Sequence, residues 1–314
     1  MSIVVRNLVK KYGDNPAIND ISFEVKTGEI VGFLGPNGAG KTTTMKIITC
    51  YMPPTSGSVE VDGCDIFDKS LEVRRKIGYL PELNPLYLDM NALDYLEYSA
   101  QLHGLRGSTV RQRIKEMVQV CGLEDVRHKD ISEMSKGYRQ RVGLAQAMIH
   151  DPDVLILDEP TSGLDPNQIV EIRTLIRQLG RAKTVILSTH ILSEVQATCD
   201  RVLIIHEGSI VADGTPARLQ HEFRGADTLT VELKTHATHP VEEIASKLRM
   251  IAHVTDIILL SHGDDVTRFE IHVNKGNDIR ESVFRIAVSE GWILLELNRR
   301  ATTLEEVFHK LTTA

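Results

Sequence analysis

Short apolar runs recur along the chain and predict buried strands. The clearest are Glu29–Leu34, Val154–Asp158, Thr184–Ser188 and Arg201–Ile205. A helix is predicted between the second and the third of them, from about Pro166 to Gly180. Continuous apolar strands that alternate with helices are typical of a parallel sheet that is covered on both faces. The pattern therefore predicts an α/β fold class.

The first sixty or so residues show shorter strand-like segments. Ile3–Val5 and Ile21–Val25 are predicted strands, with a turn at Gly13–Pro16 between them. Another short strand, Ser58–Val61, lies between two turn signals. We therefore expect a small antiparallel β subdomain beside the parallel sheet.

A helix-rich region follows, from about residue 90 to residue 150. Leu93, Leu96 and Ala100 recur at helical spacing, and so do Ile114 and Val118. The segment 104–107 carries two glycines and separates two of the predicted helices. This region is expected to form a helical subdomain.

The pattern changes near residues 223–226. The predicted elements after it are strand 228–234, helix 240–249, strand 254–261, strand 268–273, helix 279–290, strand 292–297 and helix 304–311. Without the last helix, the order β-α-β-β-α-β is that of a ferredoxin-like unit. We therefore expect two domains, residues 1–222 and a small α+β accessory domain at 226–314.

Composition narrows the function classes. The chain has 314 residues, of which 42% are hydrophobic and 25% charged, as in ordinary globular proteins. Its net charge of −7 argues against a nucleic-acid partner, because proteins that bind nucleic acid usually carry an excess of basic residues. Local basic patches stay open as an alternative. The four cysteines form no C-x-x-C pair, which argues against a zinc site or a disulfide framework and fits a reducing cytosol. No signal peptide or membrane-spanning run is expected, so any membrane role must come through a partner.

A phosphate-binding loop is the strongest chemical signal. The segment 35–42 matches G-x-x-x-x-G-K-[ST], with a predicted strand before it and a predicted helix after it. Glycines let successive N–H groups turn towards an anion, and the helix presents its N-terminus to it. The alternative, a glycine-rich turn with an incidental lysine, is disfavoured by this context. The candidate nucleotide-binding residues here are Gly35, Pro36, Asn37, Gly38, Ala39, Gly40, Lys41, Thr42 and Thr43.

Three polar residues follow two of the apolar strands. Asp158 and Glu159 end the first, and His190 ends the second. In a phosphate-loop enzyme an acid at such a place can hold Mg²⁺, and the next carboxylate can orient or deprotonate the attacking water. Loops at the carboxyl ends of parallel strands are where ligands bind, so His190 is placed to donate to a γ-phosphate.

These segments appear in a fixed order along the chain. The phosphate loop is followed by Met134–Arg141, Ile156–Pro160, Ser162–Asp165 and Ser188–His190. This set resembles the ATP-binding subunit of an ABC transporter over about residues 1–222. The resemblance implies a P-loop NTPase core with an antiparallel β subdomain and a helical subdomain. It also implies ATP hydrolysis, with ATP and Mg²⁺ as the cofactors.

The resemblance implies a role for each matching residue. Tyr12 is similar to the aromatic residue that stacks on adenine, unless it is an ordinary tyrosine beside a turn. Ser135 and Gly137 would contact the γ-phosphate bound to the opposite subunit. Asp165 would lie across the seam of the dimer.

The catalytic roles are implied in the same way. Glu159 would be the general base and His190 the γ-phosphate sensor. Lys41 would contribute a positive charge that binds the β- and γ-phosphates. The Mg²⁺ ligands would be Thr42, Asp158 and Glu82.

Two departures from the family pattern stand out. Glu82 replaces the usual glutamine, so a carboxylate lies beside the triphosphate unless it faces solvent. Lys136 and Tyr138 replace the usual glycine and glutamine. Lys136 either offsets phosphate charge across the seam or is simply solvated.

Within the family, Gly78–Glu82 and Leu304–Phe308 resemble the ATPases of ABC-2 type exporters. The run Leu80–Met90 is most similar to the gliding-motility type. The resemblance implies an integral membrane permease and a second copy of the chain as partners. It implies a peripheral location on the cytoplasmic face of the inner or plasma membrane, with no nucleic-acid partner.

Two alternatives stay open. One is a soluble ABC ATPase that acts on ribosomes or DNA, although such relatives typically have two ATP-binding halves, a long coiled coil or zinc ligands. The other concerns the accessory domain, which could bind a small regulatory ligand instead of bracing the dimer or its partner.

Overall fold

The structure is a computed structural model that describes residues 2–222, 227–234, 240–263, 265–274, 276–300 and 303–312. The chain divides into two compact units, Met1–Pro216 with Leu311–Ala314, and Ala217–Lys310. The predicted change of pattern at 223–226 lies outside the described residues. The domain limits at 222 and 226 therefore stay predictions.

The elements up to residue 222 alternate between strands and helices. The strands are β1 (Ile3–Tyr12), β2 (Asn15–Val25), β3 (Ile30–Leu34), β4 (Ser56–Val61), β5 (Cys64–Asp65), β6 (Ile77–Leu80), β7 (Val154–Asp158), β8 (Thr184–Thr189), β9 (Arg201–His206) and β10 (Ser209–Gly214). The helices are α1 (Lys41–Ile48), α2 (Ser70–Lys76), α3 (Ala92–Leu102), α4 (Ser108–Val120), α5 (Lys136–Met148), α6 (Pro166–Gly180), α7 (Leu192–Thr198) and α8 (Pro216–Glu222).

The predicted parallel sheet is confirmed. Its strand order is β10-β9-β3-β8-β7-β6, and all neighbours except β10 and β9 are parallel. Every residue of β3, β7 and β8 is buried, which explains why these strands are continuously apolar in sequence. Since β3, β8 and β7 are neighbours, their carboxyl ends lie side by side at one edge of the sheet.

The antiparallel sheet beside it has the order β2-β1-β4-β5. The first two strands are longer than predicted, because the backbone pairing continues to Tyr12 and Asn15. The chain then reverses at Gly13, whose φ of 61° suits glycine. Side chains of this sheet, including Ile3, and Met45 of α1 share one core.

The region 92–148 forms the predicted helices α3, α4 and α5. Leu96 and Ala100 of α3 are fully buried, as their spacing predicted. The side chain of Asn91 caps α3 by accepting a hydrogen bond from the N–H of Asp94 at 3.0 Å. Among the described residues, none of the helices combines the length and the apolar character that a membrane crossing needs.

The last part of the chain has the predicted order of elements. They are β11 (Asp227–Lys234), α9 (Val241–Arg249), β12 (Val254–His262), β13 (Val266–Val273), α10 (Arg280–Ser289), β14 (Ile293–Arg300) and α11 (Leu304–Thr312). The sheet is antiparallel throughout, with the order β12-β13-β11-β14, as in a ferredoxin-like unit. Val231, Phe269 and Ile271 of the sheet pack with Ile244 of α9 and Val283 of α10 in a separate core.

Candidate nucleotide-binding and active site

The loop between β3 and α1 needs its glycines. A Cβ on Gly40 would lie 2.5 Å from the carbonyl oxygen of Ala17, and one on Gly35 would lie 2.4 Å from that of Ile205. Gly38 and Gly40 also have φ values of 82° and 106°, in the region that favours glycine. The loop can therefore pack tightly and still turn its N–H groups towards an anion.

Lys41 begins α1 directly after this loop. Its side chain is 6% exposed, and its Nζ donates to the carbonyl oxygens of Gly35 at 2.8 Å and Pro36 at 3.2 Å. The Nζ also lies 3.6 Å from Oε1 of Glu159. The first turn of α1 holds no acidic residue, so the lysine charge and the helix N-terminus both favour an anion here.

These residues surround one cavity of about 430 Å³. The cavity brings together residues from five separate parts of the sequence. Its lining residues are Ala17, Asn37, Gly38, Gly40, Lys41, Thr42, Thr43, Glu82, Glu159, Ser162 and His190. The predicted base, sensor and phosphate-binding lysine therefore meet at one place with Thr42 and Glu82, although they are far apart in sequence. Asp158, the third predicted metal ligand, does not line the cavity.

Two lining residues had no predicted role. Ser162 begins the segment Ser162–Asp165 of the family pattern, and the closeness of this segment to Glu159 in sequence is the signal that could have suggested a place for Ser162 at the site. Ala17 follows a turn and carries no polar side chain, so nothing in the sequence distinguishes it. Its place in the cavity results from the close approach of β2 to the phosphate loop at Gly40.

Asp158 lies at the carboxyl end of β7 and is fully buried. The hydroxyl of Ser188, on the neighbouring strand β8, donates to its Oδ1. Its Oδ2 is buried and has no hydrogen-bond partner among the described residues. A buried carboxylate oxygen without a partner, at the carboxyl end of a parallel strand, fits a hard divalent cation, directly or through water.

Glu159 has an unusual backbone conformation, with φ of 50° and only 5% of the residue exposed. Its carboxylate accepts from Nδ1 of His190, at 3.0 Å to Oε1 and 2.9 Å to Oε2. The His190 side chain is 45% exposed and so faces the cavity as well. This φ lies in the left-handed region that non-glycine residues seldom adopt, so the surrounding fold holds Glu159 in place.

Glu82 follows β6 and is exposed, yet it lines the same cavity. Its role towards Mg²⁺ or the triphosphate stays a prediction.

Tyr12 does not line the cavity. It ends β1 with 51% of the residue exposed, and its hydroxyl donates to Sδ of Met52 at 3.3 Å. The Nζ of Lys10 lies 5.5 Å from the centre of the ring. Stacking of Tyr12 on adenine stays a prediction.

Ser135 and Gly137 lie at a second cavity, of about 400 Å³. The side chains of Ser135 and Asp165 cap α5 and α6 there, so two helix N-termini open into it. Its lining residues are Gly122, Ser135, Gly137, Tyr138, Arg141, Asp165, Asn167, Gln168 and Glu171. This set shares no residue with the Lys41 cavity, so the predicted γ-phosphate contacts of the chain are divided between two places.

Lys136 has a specific neighbour. Its Nζ lies over Gly163, so close that a Cβ on the glycine would be 2.1 Å from it. Gly163 also has φ of 68°. Lys136 is exposed, as one predicted alternative had it, but it lies against the segment 162–165 of its own chain.

Comparisons with known proteins point to one family. The family model described as ABC transporter matches residues 18–162. An ABC transporter ATP-binding protein of Bacillus subtilis, YxlF, is 33% identical over 99% of this chain and 99% of its own length. Nod factor export ATP-binding protein I of Burkholderia orbicola is 35% identical over 72% of this chain and 75% of its own length.

A solved structure extends the likeness to three dimensions. It is a dimeric post-hydrolysis state of an ATP-binding cassette, bound to ADP and Pi. The TM-score is 0.62 at 27% sequence identity, over 68% of this chain and 98% of the other.

Proposed function

The chain belongs to the family of ABC transporter ATP-binding proteins, and from this premise we propose that it is the ATP-hydrolysing motor subunit of an ABC-2 type exporter. The observation that carries the proposal is the grouping of Lys41, Glu159 and His190 at one cavity, at the carboxyl ends of adjacent strands. Export is the activity that the name of one relative states. The finer resemblance to gliding-motility systems stays a prediction.

The side chains divide the work of hydrolysis. Lys41 and the N–H groups of residues 37–42 would bind the β- and γ-phosphates of ATP. Glu159 would take a proton from the attacking water, because its carboxylate is an acceptor fixed by His190 Nδ1. The exposed part of the His190 ring would then lie against the γ-phosphate. Removal of the Glu159 carboxylate or the His190 ring should slow turnover more than it weakens ATP binding.

Thr42, Asp158 and Glu82 would hold Mg²⁺, which supplies charge neutralisation to a triphosphate when bound. The buried Oδ2 of Asp158 supports this assignment, because an unpaired carboxylate oxygen is costly unless a cation or water engages it. The Ser188 hydroxyl donates to Oδ1 of Asp158 and thereby fixes the orientation of the carboxylate, including Oδ2.

Asp158→Asn is expected to lower kcat by about 10²-fold or more and to raise the Mg²⁺ concentration needed for half-maximal activity. The reason is that the amide removes the negative charge of one of the two proposed carboxylate ligands. Mg²⁺ titrations of ATPase activity measure both effects. Asp125→Asn, an exposed change from acid to amide, is the control. An unchanged Mg²⁺ requirement in Asp158→Asn would remove this residue from the metal site.

A second copy of the chain would complete each ATP site. One chain holds the phosphate loop and the Ser135–Gly137 segment at cavities that share no lining residue, so the segment of a second chain would complete the contacts of the nucleotide. The related cassette solved as a dimer supports this arrangement. ATP would favour the closed pair because it makes contacts there that the open pair lacks.

The partner in the membrane would bind near Glu82. The segment after Glu82 and helix α3 carry large exposed apolar side chains: Leu83, Tyr87, Leu88, Tyr98 and Leu102. Tyr87 makes edge contacts with both Tyr95 and Tyr98, which joins the segment to the helix. We assign this surface to a helix of an integral membrane permease, which would place the chain at the cytoplasmic face of the membrane. A shift of Glu82 when the nucleotide binds or leaves would move this surface and, with it, the permease helix.

The alternative of a soluble ATPase acting on ribosomes or DNA is not favoured. The relatives are named as transporter subunits, and the net charge is −7. Co-purification with a membrane protein supports the motor role, whereas co-purification with nucleic acid contradicts it.

We also propose that residues 226–314 form an accessory domain with a bracing or regulatory role. It has its own core of Leu229, Val231, Phe269, Ile271 and Trp292. Because that core shares no residue with the core of the first unit, a chain of residues 1–222 is expected to fold and to bind ATP with an affinity within about threefold of the full chain. Circular dichroism and nucleotide titration measure this, and an unfolded fragment would contradict the division.

A further inference from the structure

A buried carboxylate connects the two loops that carry Glu159 and His190. Glu194 belongs to α7 and is 1% exposed. Its Oε1 accepts a hydrogen bond from the hydroxyl of Thr161, and its Oε2 accepts one from the hydroxyl of Thr189 at 2.8 Å. Thr161 lies two residues after Glu159, and Thr189 directly precedes His190.

Each of the two threonines also holds the backbone of its own loop. The Thr189 hydroxyl accepts from the N–H of Ile191 at 3.0 Å, so it fixes the peptides on both sides of His190. The carbonyl oxygen of Thr161 accepts from the N–H of Leu164 at 3.2 Å. Both threonines are buried, at 3% and 0% exposure. Glu194 therefore holds a side chain in each loop, and at Thr189 the hydroxyl it holds also binds the backbone beyond His190.

An acid suits this position for a chemical reason. An ionised carboxylate only accepts hydrogen bonds and can take one from each hydroxyl at once. A buried carboxylate is costly unless it is hydrogen-bonded, so the arrangement is stable only while both hydroxyls point at Glu194. The contact therefore constrains the two loops relative to each other, and not only to α7.

We propose that Glu194 is a positioning residue for ATP hydrolysis, which sets the geometry between Glu159 and His190. This inference rests on the proposed roles of those two residues. Their side chains meet at 2.9 Å, although they belong to loops after different strands. A misplacement of about 1 Å in such a site costs on the order of 10²-fold in rate. Glu194 does not line the nucleotide cavity, so it acts through the loops and not on ATP.

The test uses the full-length protein with single substitutions. Thr161→Val removes one hydrogen bond, and Glu194→Leu and Thr189→Val remove two each, while all three keep a buried side chain of similar size. We expect kcat to fall by about 10- to 100-fold, with the Kd for ATP within about twofold of the original. Thr161→Ser and Thr189→Ser keep the hydroxyl and should keep most of the rate.

A matched control lies one turn along the same helix. Thr198 is buried, and its Oγ1 has no hydrogen-bond partner among the described residues. Thr198→Val therefore repeats the chemical change without touching either loop, and its kcat should be unchanged. Should Glu194→Leu fail to fold, the two valine variants decide the question by themselves.

The decisive measurement repeats Glu194→Leu in a His190→Ala background. If Glu194 sets the geometry between the two groups, its loss should cost less than about threefold once His190 is absent, because residues that act as a unit are not additive. An equal loss of rate in both backgrounds would overturn the proposal. So would a loss of ATP binding in step with the loss of rate, which is the mark of a merely structural role.

The same assays keep this inference separate from the proposed function. If the unsubstituted protein hydrolyses ATP and Glu159→Gln does not, the proposed ATPase activity and the role of Glu159 stand whatever Glu194 does. If the unsubstituted protein hydrolyses no ATP, the proposed function itself fails.

Discussion

Glu159→Gln is expected to stop ATP turnover while leaving ATP binding intact. The amide has the size of the carboxylate and can still accept from His190 Nδ1, which lies 2.9 Å from Glu159 Oε2. It cannot take a proton from water at neutral pH. Loss of a general base costs about 10²- to 10⁴-fold, so kcat should fall to background.

The same variant should accumulate as an ATP-bound dimer. The γ-phosphate stays in place when hydrolysis is blocked, and it is the group proposed to join the Lys41 cavity of one copy to the Ser135–Gly137 segment of the other. Light scattering after gel filtration, with and without ATP, measures the shift. Glu124→Gln changes an exposed acid that lines neither cavity and should behave as the unsubstituted chain. A Glu159→Gln protein with near-normal kcat would show that another group is the base.

The parts of the site that sequence predicts well are local. Eight consecutive residues define the phosphate loop, and the close contacts of Gly35 and Gly40 show why no other residue fits there. Asp158 and Glu159 could be placed because a continuous apolar strand ends at them. In each case a short stretch of sequence carries its own structural context.

The parts that sequence does not predict depend on contacts between distant segments. Ala17 reaches the cavity because of how β2 packs on the phosphate loop. Glu194 belongs to a helix of only seven residues, where a glutamate is usually exposed, and its burial follows from the packing of α7 beside two loops. The edge strand β10 was missed because half-buried residues give it no continuous apolar run. Lys136 lies over Gly163 only because the starts of α5 and α6 converge.

Two inactive variants are expected to restore activity to each other. Lys41→Ala removes the charge that would hold the β- and γ-phosphates. Gly137→Asp places a carboxylate at the start of α5, where the γ-phosphate of the other copy would approach. The three atoms nearest to a Cβ added at Gly137 all belong to the movable end of the Gln168 side chain, at 2.7 to 2.9 Å, so we expect the fold to persist. Each variant alone should lose about 10²-fold or more in kcat.

In the mixed pair, one of the two sites contains neither substitution. It takes its phosphate loop from the Gly137→Asp copy and its 135–137 segment from the Lys41→Ala copy. Heterodimers isolated with two different affinity tags should therefore recover up to about half of the original ATPase activity. Ser108→Asp, which adds an acid at the start of the remote helix α4, controls for a general effect of charge at a helix N-terminus. An isolated heterodimer as inactive as its parents, or a Gly137→Asp protein that keeps full activity, would show that the two copies do not share the nucleotide.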